Sequence, residues 1–101
     1  AAYIRDIVYI ESDRHYVKYY IKGKDMPIRM RIGINECEGK YRKYDFVRIH
    51  KRYLINLRYL SKLDNRIDEV LIGSINIKLP MSKNYKKDVD EKYTLFLRSK
   101  V

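Results

Sequence analysis

The chain has no tryptophan, one cysteine, two prolines and four glycines. The lone cysteine, Cys37, excludes an internal disulfide and fits a reducing compartment, so a cytoplasmic protein is expected. Cys37 itself reads as a small buried hydrophobe. So few glycines, all scattered, leave no phosphate-cradling loop. No apolar run approaches the roughly 18 residues of a transmembrane helix. Histidine is scarce too. His15 and His50 have no HExxH pattern and no cysteine pair beside them, so neither a metal nor any other cofactor is expected. An enzyme is not expected.

What remains is compact in length and rich in charge. The 101 residues are read as one domain over 1–101, with room for one modest core. An apolar share of 46 % argues against disorder. Tyrosine is abundant at 11 copies, and its apolar body with a polar tip suits strands. The net charge is +10. Residues 1–50 carry 11 cations and 7 anions, and residues 51–101 carry 12 and 6, so the excess belongs to the folded body. From Lys40 to Arg58 there are seven cations and one anion. Such clustering points to a polyanionic partner, nucleic acid before an anionic membrane. The start at "AAYIRDIVYI", without Met, leads us to expect a domain excised from a longer protein.

Ile7–Glu11 and Tyr16–Ile21 read as strands around the polar turn "SDRH". "KGKD" is a turn, with Gly23 free to take a positive φ. Pro27–Ile32 alternates apolar and cationic residues, as a half-buried strand showing Arg29 and Arg31 on one face would. Ile34, Cys37 and Tyr41 share one side of a short helix. Phe46–Ile49 and Tyr53–Ile55 are strands flanking "HKR". Leu60–Leu63 and Glu69–Ile72 flank "DNRI". Ile75–Leu79 is the last strand, and Gly73–Ser74 would suit a two-residue hairpin. From Ser82 a polar loop or short helix leads to Leu95, Phe96 and Leu97, expected to pack on the body. The pattern predicts a mostly antiparallel β domain with one short helix.

Three turn regions could carry chemistry: Asp13-Arg14-His15, His50-Lys51-Arg52, and Lys83-Asn84 with Lys86 and Lys87 behind. A loop on a stiff element aims a binding side chain well. His, Lys and Asn can donate to base edges, and nearby Arg and Lys can hold phosphates. The bland alternatives are a capping role for His15 and plain solvated lysines at Lys51 and Lys83.

The stretch "FVRIHKRYLINLRYL" at Phe46–Leu60 resembles the signature of the LytTR DNA-binding domain. The matching order is an aromatic, Arg-x-His, a basic-polar run and an aliphatic-aliphatic-Asn triplet. Here these are Phe46, Arg48, His50, Lys51-Arg52-Tyr53 and Leu54-Ile55-Asn56. "IVYIESDRHYVKYY" resembles the family's opening hairpin, and "IKLPMSKNYKKDV" its closing block. The resemblance covers roughly Ile4 to Val89.

It implies an elongated arrangement of short antiparallel sheets with one short helix. It also implies that loops, rather than a recognition helix, enter the major groove of double-stranded DNA. On that pattern His15 and Lys83 address bases in successive major grooves, with Lys51 contacting DNA between them. Arg14, Arg48, His50, Arg52, Ser82, Asn84, Lys86 and Lys87 are then the phosphate candidates. Asn56 is expected to be a structural hydrogen-bonding residue.

Relatives commonly carry Arg where this chain has Lys83, a point charge rather than a fork. They also tend to place Asn-Gly about four residues before the closing Pro, where Asn76 takes the glycine's place. That competes with a turn at Gly73–Ser74.

The resemblance further implies the output domain of a bacterial two-component response regulator that controls transcription. A receiver or sensor domain would lie upstream. The lone domain would be a monomer pairing on direct repeats. Two other readings remain open. One is a single-stranded or RNA-binding β module stacking bases on Tyr19, Tyr44 and Tyr59. The other is a basic protein-interaction module.

Overall fold

The computed structural model describes residues 3–100. Strands β1 (Ile7–Asp13) and β2 (Tyr16–Ile21) form a hairpin closed by Arg14 and His15. Arg14 occupies the left-handed region at φ 59°. β3 (Ile28–Met30) pairs with β2 at one edge of the sheet. Helix α1 (Ile34–Tyr41) follows. β4 (Phe46–His50) and β5 (Tyr53–Asn56) form the next hairpin, and β5 pairs with β1. The resulting five-stranded sheet has the order β3-β2-β1-β5-β4. Three further strands, β6 (Leu60–Asp64), β7 (Glu69–Ile72) and β8 (Ile77–Pro80), make a second antiparallel sheet. A single 3-10 turn over Lys83–Tyr85 leads into helix α2 (Lys86–Arg98).

The large sheet is covered on both faces. Ile10, Val17, Tyr19, Phe46 and Leu54 pack against Ile34, Cys37 and Tyr41 of α1. Val8, Val47, Ile49 and Ile55 pack against Val70, Ile72 and Leu79 of the second sheet and Val89 of α2. β4 is therefore buried on both faces, which explains its nearly continuous apolar run. Burial at 25–30 cal/mol per Å² makes these two layers the main source of stability, at roughly 1.5–3 kcal/mol per large side chain. Asn56 serves the scaffold as expected. Its amide donates to the Ile7 carbonyl (2.9 Å), and its oxygen accepts from Arg58 N–H (3.0 Å). Cys37 is fully buried, and burial pushes its thiol pKa up.

Several expectations change. There are two helices, not one short helix, because Val89, Tyr93 and Phe96 recur on one side of α2 and pack inward. Leu95 and Leu97 do not pack; they are 63 % and 49 % exposed. β3 is an exposed edge rather than half-buried, with all three residues open to solvent. The last hairpin turns over Gly73–Asn76, not at Gly73–Ser74. Asn76 takes φ 50° there, which asparagine tolerates better than most residues. The body measures 32 × 28 × 25 Å, so its two sheets are layered rather than drawn out into a rod.

Candidate nucleic-acid interface

Strand register decides where the three turns lie. β1 ends at Asp13 and β2 begins at Tyr16, at the same end of the sheet. β5 is antiparallel to β1, with Glu11 opposite Tyr53, so β5 starts at that end. β4 finishes there, with His50 opposite Tyr53. The loops Arg14–His15 and Lys51–Arg52 therefore share one rim. They are two strand spacings apart, about 10 Å.

The third segment is tied to the same rim. The β4–β5 register shifts between Arg48 and His50, so the ladder breaks at Ile49 beside the turn. The Ile49 carbonyl instead accepts the N–H of Ser82 (2.8 Å). That bond fixes Ser82, and with it Lys83 and Asn84, beside the end of β4. The outer two loops, carrying His15 and Lys83, then lie about three strand spacings apart, on the order of 15 Å. His15, Lys51, Lys83 and Asn84 are exposed, as are Arg14, Arg52 and Lys87. The Ser82 hydroxyl makes no capping bond to the 3-10 turn.

The turns are braced from beneath. Arg48 is the central strut and is only 5 % exposed. Its Nε donates to the His50 carbonyl (2.7 Å), and its Nη1 donates to Asn35 Oδ1 (2.8 Å) and Glu38 Oε1 (2.9 Å). Its Nη2 donates to the Lys51 carbonyl. Its guanidinium also sits 5.9 Å from the Tyr85 ring. One buried cation thus joins α1, the Lys51 turn and the Lys83 segment. A charge so placed is stable only because it is paired and fully bonded. The expectation of Arg48 as a phosphate contact is corrected accordingly: it is buried and committed within the protein.

Glu11 is a second brace. Its carboxylate receives Arg52 Nη2 (3.0 Å) and the hydroxyls of Tyr53 (3.3 Å) and Tyr20 (2.9 Å). Ser12 N–H donates to the Arg52 carbonyl (2.8 Å), which extends the β1–β5 ladder into the turn. His50 Nδ1 accepts the N–H of Arg52 (3.1 Å). Burial, and then the cations of Lys51, Arg52 and Arg48, hold His50 below the ordinary histidine range. Neutral His50 therefore carries its proton on Nε2, where it is a donor. Lys86 is partly spent: it pairs with Asp68 and donates to the Asn65 carbonyl (3.1 Å), tying α2 to the β6–β7 turn.

The sequence reading missed two cations of this rim. β3 is antiparallel to β2, with Met30 opposite Val17, so Arg29 and Arg31 also lie at this end. Their guanidiniums lie 4.6 and 6.0 Å from the Tyr16 ring, and Arg29 reaches Asp13 (3.6 Å). The alternation of "PIRMRI" was the available signal. Arg58, conversely, leaves the rim. It follows β5 at the opposite end, near Arg5 and Lys22, and so does not extend the surface of Lys51. The tyrosines proposed as stacking platforms do not share a face. Tyr19 is buried in the α1 layer, Tyr59 donates to the Arg5 carbonyl, and Tyr44 alone is largely open.

Among the described residues, no group of three His, Cys, Asp or Glu side chains could hold a metal ion. No helix is long and apolar enough to cross a membrane.

A solved structure, a LytTr DNA-binding domain from Bacillus cereus, is similar in fold at a TM-score of 0.74. It is 14 % identical, and the match covers 87 % of this chain and 81 % of that one. A search of curated proteins returns no match. The family model for the LytTr DNA-binding domain matches residues 2–94, nearly the whole chain, and the chain belongs to that DNA-binding family.

Proposed function

We propose that this domain binds double-stranded DNA sequence-specifically through the loops of its basic rim, as the output domain of a transcriptional regulator. The observation that carries the reading is the convergence of three basic turns at one end of the large sheet, two of them braced from below. A minor groove is about 6 Å wide and is flanked by two major grooves. Outer loops on the order of 15 Å apart suit a placement astride that groove, before side-chain reach is added.

In this placement His15 and Lys83 address base edges in the two flanking major grooves. Lys51 sits between them, over the intervening groove. Arg14, Arg52, Ser82, Asn84 and Lys87 hold phosphates, joined by Arg29 and Arg31. His50 contributes a neutral N–H donor at Nε2, which suits a phosphate oxygen without adding charge. Lys86 is a lesser contributor because Asp68 already holds it. An upstream receiver or sensor domain, and pairing of otherwise monomeric copies on repeated sites, complete the proposal.

Selection from a random duplex library at physiological salt, followed by sequencing, tests it. A motif with two conserved blocks on either side of a less constrained step is the expected outcome. Enrichment of no sequence, with binding that vanishes as salt rises, would show that the rim is only an electrostatic surface.

A further inference from the structure

The end of the large sheet opposite the rim carries a second set of cations, delivered by separate chain segments. The 3-10 turn Ile4–Asp6 brings Arg5, the residue after β2 is Lys22, and the 3-10 turn Leu57–Tyr59 brings Arg58. With Asp6 and Tyr59 they surround an open hollow of about 400 Å³. That is room for about a dozen waters at roughly 30 Å³ each, and ample for a small polyvalent anion. A second hollow adjoins it, where Lys43, Tyr44 and Asp45 join Arg5 and Arg58. Lys43 and Tyr44 come from the 3-10 turn Arg42–Tyr44, which follows α1.

The charges in these hollows are unpaired. Arg5, Lys22, Lys43 and Arg58 are exposed and form no ion pair among the described residues, although Asp6 and Asp45 line the same walls. The backbone beneath them is held. Lys22 N–H donates to the Asp6 carbonyl (2.8 Å), Leu57 N–H to the Asp45 carbonyl (2.9 Å), and the Tyr59 hydroxyl to the Arg5 carbonyl. These bonds staple the segments to one another, so the cations stay together with no carboxylate in contact to neutralise them. Like charges gathered this way repel, and a polyvalent anion relieves the repulsion.

The order of the cations selects the anion. Arg5 and Arg58 line both hollows, Lys22 only the first and Lys43 only the second. An arginine pair with a lysine on either side suits two linked phosphates better than one, which would leave a hollow empty. Arginine's fork takes phosphate oxygens two at a time, and lysine adds a point charge. We propose that this end of the domain binds the diphosphate group of a small molecule, across Arg5 and Arg58 and between Lys22 and Lys43. Two sources carry that chemistry, inorganic pyrophosphate and a nucleoside diphosphate. Tyr44, 43 % exposed at the second hollow, gives a nucleotide a ring on which to stack its base. The seven residues of β1 separate this end from the rim by about 20 Å. That exceeds the screening length of about 8 Å at physiological salt, so the site is available whether or not DNA occupies the rim. The inference does not rest on the DNA reading.

The experiment is calorimetric titration with inorganic phosphate, pyrophosphate and adenosine diphosphate, at physiological salt without divalent cations. Amide chemical shifts report the place of binding. Pyrophosphate should bind about tenfold more tightly than phosphate, with shifts centred on Arg5, Lys22, Lys43 and Arg58. Arg5→Gln and Arg58→Gln should each weaken pyrophosphate about tenfold, and thermal melts confirm that both variants fold. Arg66→Gln, in the distant β6–β7 turn, should change nothing. Adenosine diphosphate binding more tightly than pyrophosphate, with the excess lost in Tyr44→Ala, assigns the site to a nucleotide. Equal affinities for the two assign it to pyrophosphate. Equal affinity for phosphate and pyrophosphate, or unchanged affinity in Arg5→Gln and Arg58→Gln, would overturn the site. So would shifts spread equally over the rim, which would mean that the domain attracts anions without selecting them.

Discussion

The large sheet has two basic ends, and they are built differently. At the rim, the Lys51–Arg52 turn is tied down by Arg48, Glu11 and Ser12, and the Lys83 segment is held by the bond from Ser82 N–H to the Ile49 carbonyl. At the opposite end, Arg5, Lys22 and Arg58 surround a hollow with Asp6 and Tyr59. None of those three cations forms an ion pair among the described residues. Both ends attract anions at long range. At the opposite end Lys22 N–H donates to the Asp6 carbonyl and Arg58 N–H to Asn56 Oδ1, but only at the rim does a buried cation, Arg48, tie a turn to the core, and rigid support is what aims a base-reading side chain. Positive charge alone therefore does not single out the proposed reading surface in this domain; the buried Arg48 network distinguishes it.

The largest expected effect breaks the bracing. Arg48→Ala leaves Glu38 and two turn carbonyls without their donor, and should cost about 3 kcal/mol of stability in urea denaturation. DNA affinity should fall as well, although Arg48 touches no DNA in this account. Arg58→Ala at the other end should change stability by no more than about 0.5 kcal/mol. Equal losses in the two variants would erase the distinction between the ends.

Next come the residues proposed to read bases. His15→Ala and Lys83→Ala should each cost about 1–3 kcal/mol of binding to a selected site and relax its sequence preference. Lys22→Ala and Arg5→Ala should leave preference unchanged. Repeated selection with each variant provides the check, and an unaltered motif for Lys83→Ala would remove that loop from the reading surface. The phosphate contacts should appear in salt titrations. With about six contacts, affinity should drop about a thousandfold between 50 and 200 mM salt. Lys87→Gln should lower the slope of log affinity against log salt by about one, whereas Arg58→Gln should not.

The smallest effect concerns His50. Its pKa is depressed in the fold, so the unfolded chain binds the proton first as pH falls. Its contribution to stability is present above the ordinary histidine pKa and is lost as pH drops through that range. The wild type should therefore lose stability relative to His50→Asn between about pH 7.5 and 5.5. Parallel melting curves for the two proteins across that range would contradict the assigned environment.

How legible all this was in the sequence depended on which faces were buried. Tyr16–Ile21 and Ile34–Tyr41 could be read to the residue, because each shows the periodicity of an element buried on one side. Arg48 misled because its strand is buried on both faces. A cation between Val47 and Ile49 looks outward by alternation, yet here α1 covers that side. α2 was obscured by its polar start, although Val89, Tyr93 and Phe96 already showed helical spacing. Of the two placements open for the last hairpin, the glycine favoured Gly73–Ser74, whereas the positive φ falls on Asn76, the residue the family resemblance picked out. Arg58 lies six residues beyond Arg52 in sequence but at the far end of β5. A cluster of charge in sequence was thus split in space by one strand.

The most direct measurement is a titration of a selected duplex into the isotope-labelled domain, followed by amide chemical shifts. The largest changes should fall at Arg14–His15, Lys51–Arg52 and Ser82–Asn84, with little change at Arg5, Lys22 and Arg58. Changes centred on Arg5, Lys22 and Arg58 instead would place the DNA on the opposite end of the sheet and contradict the proposed interface.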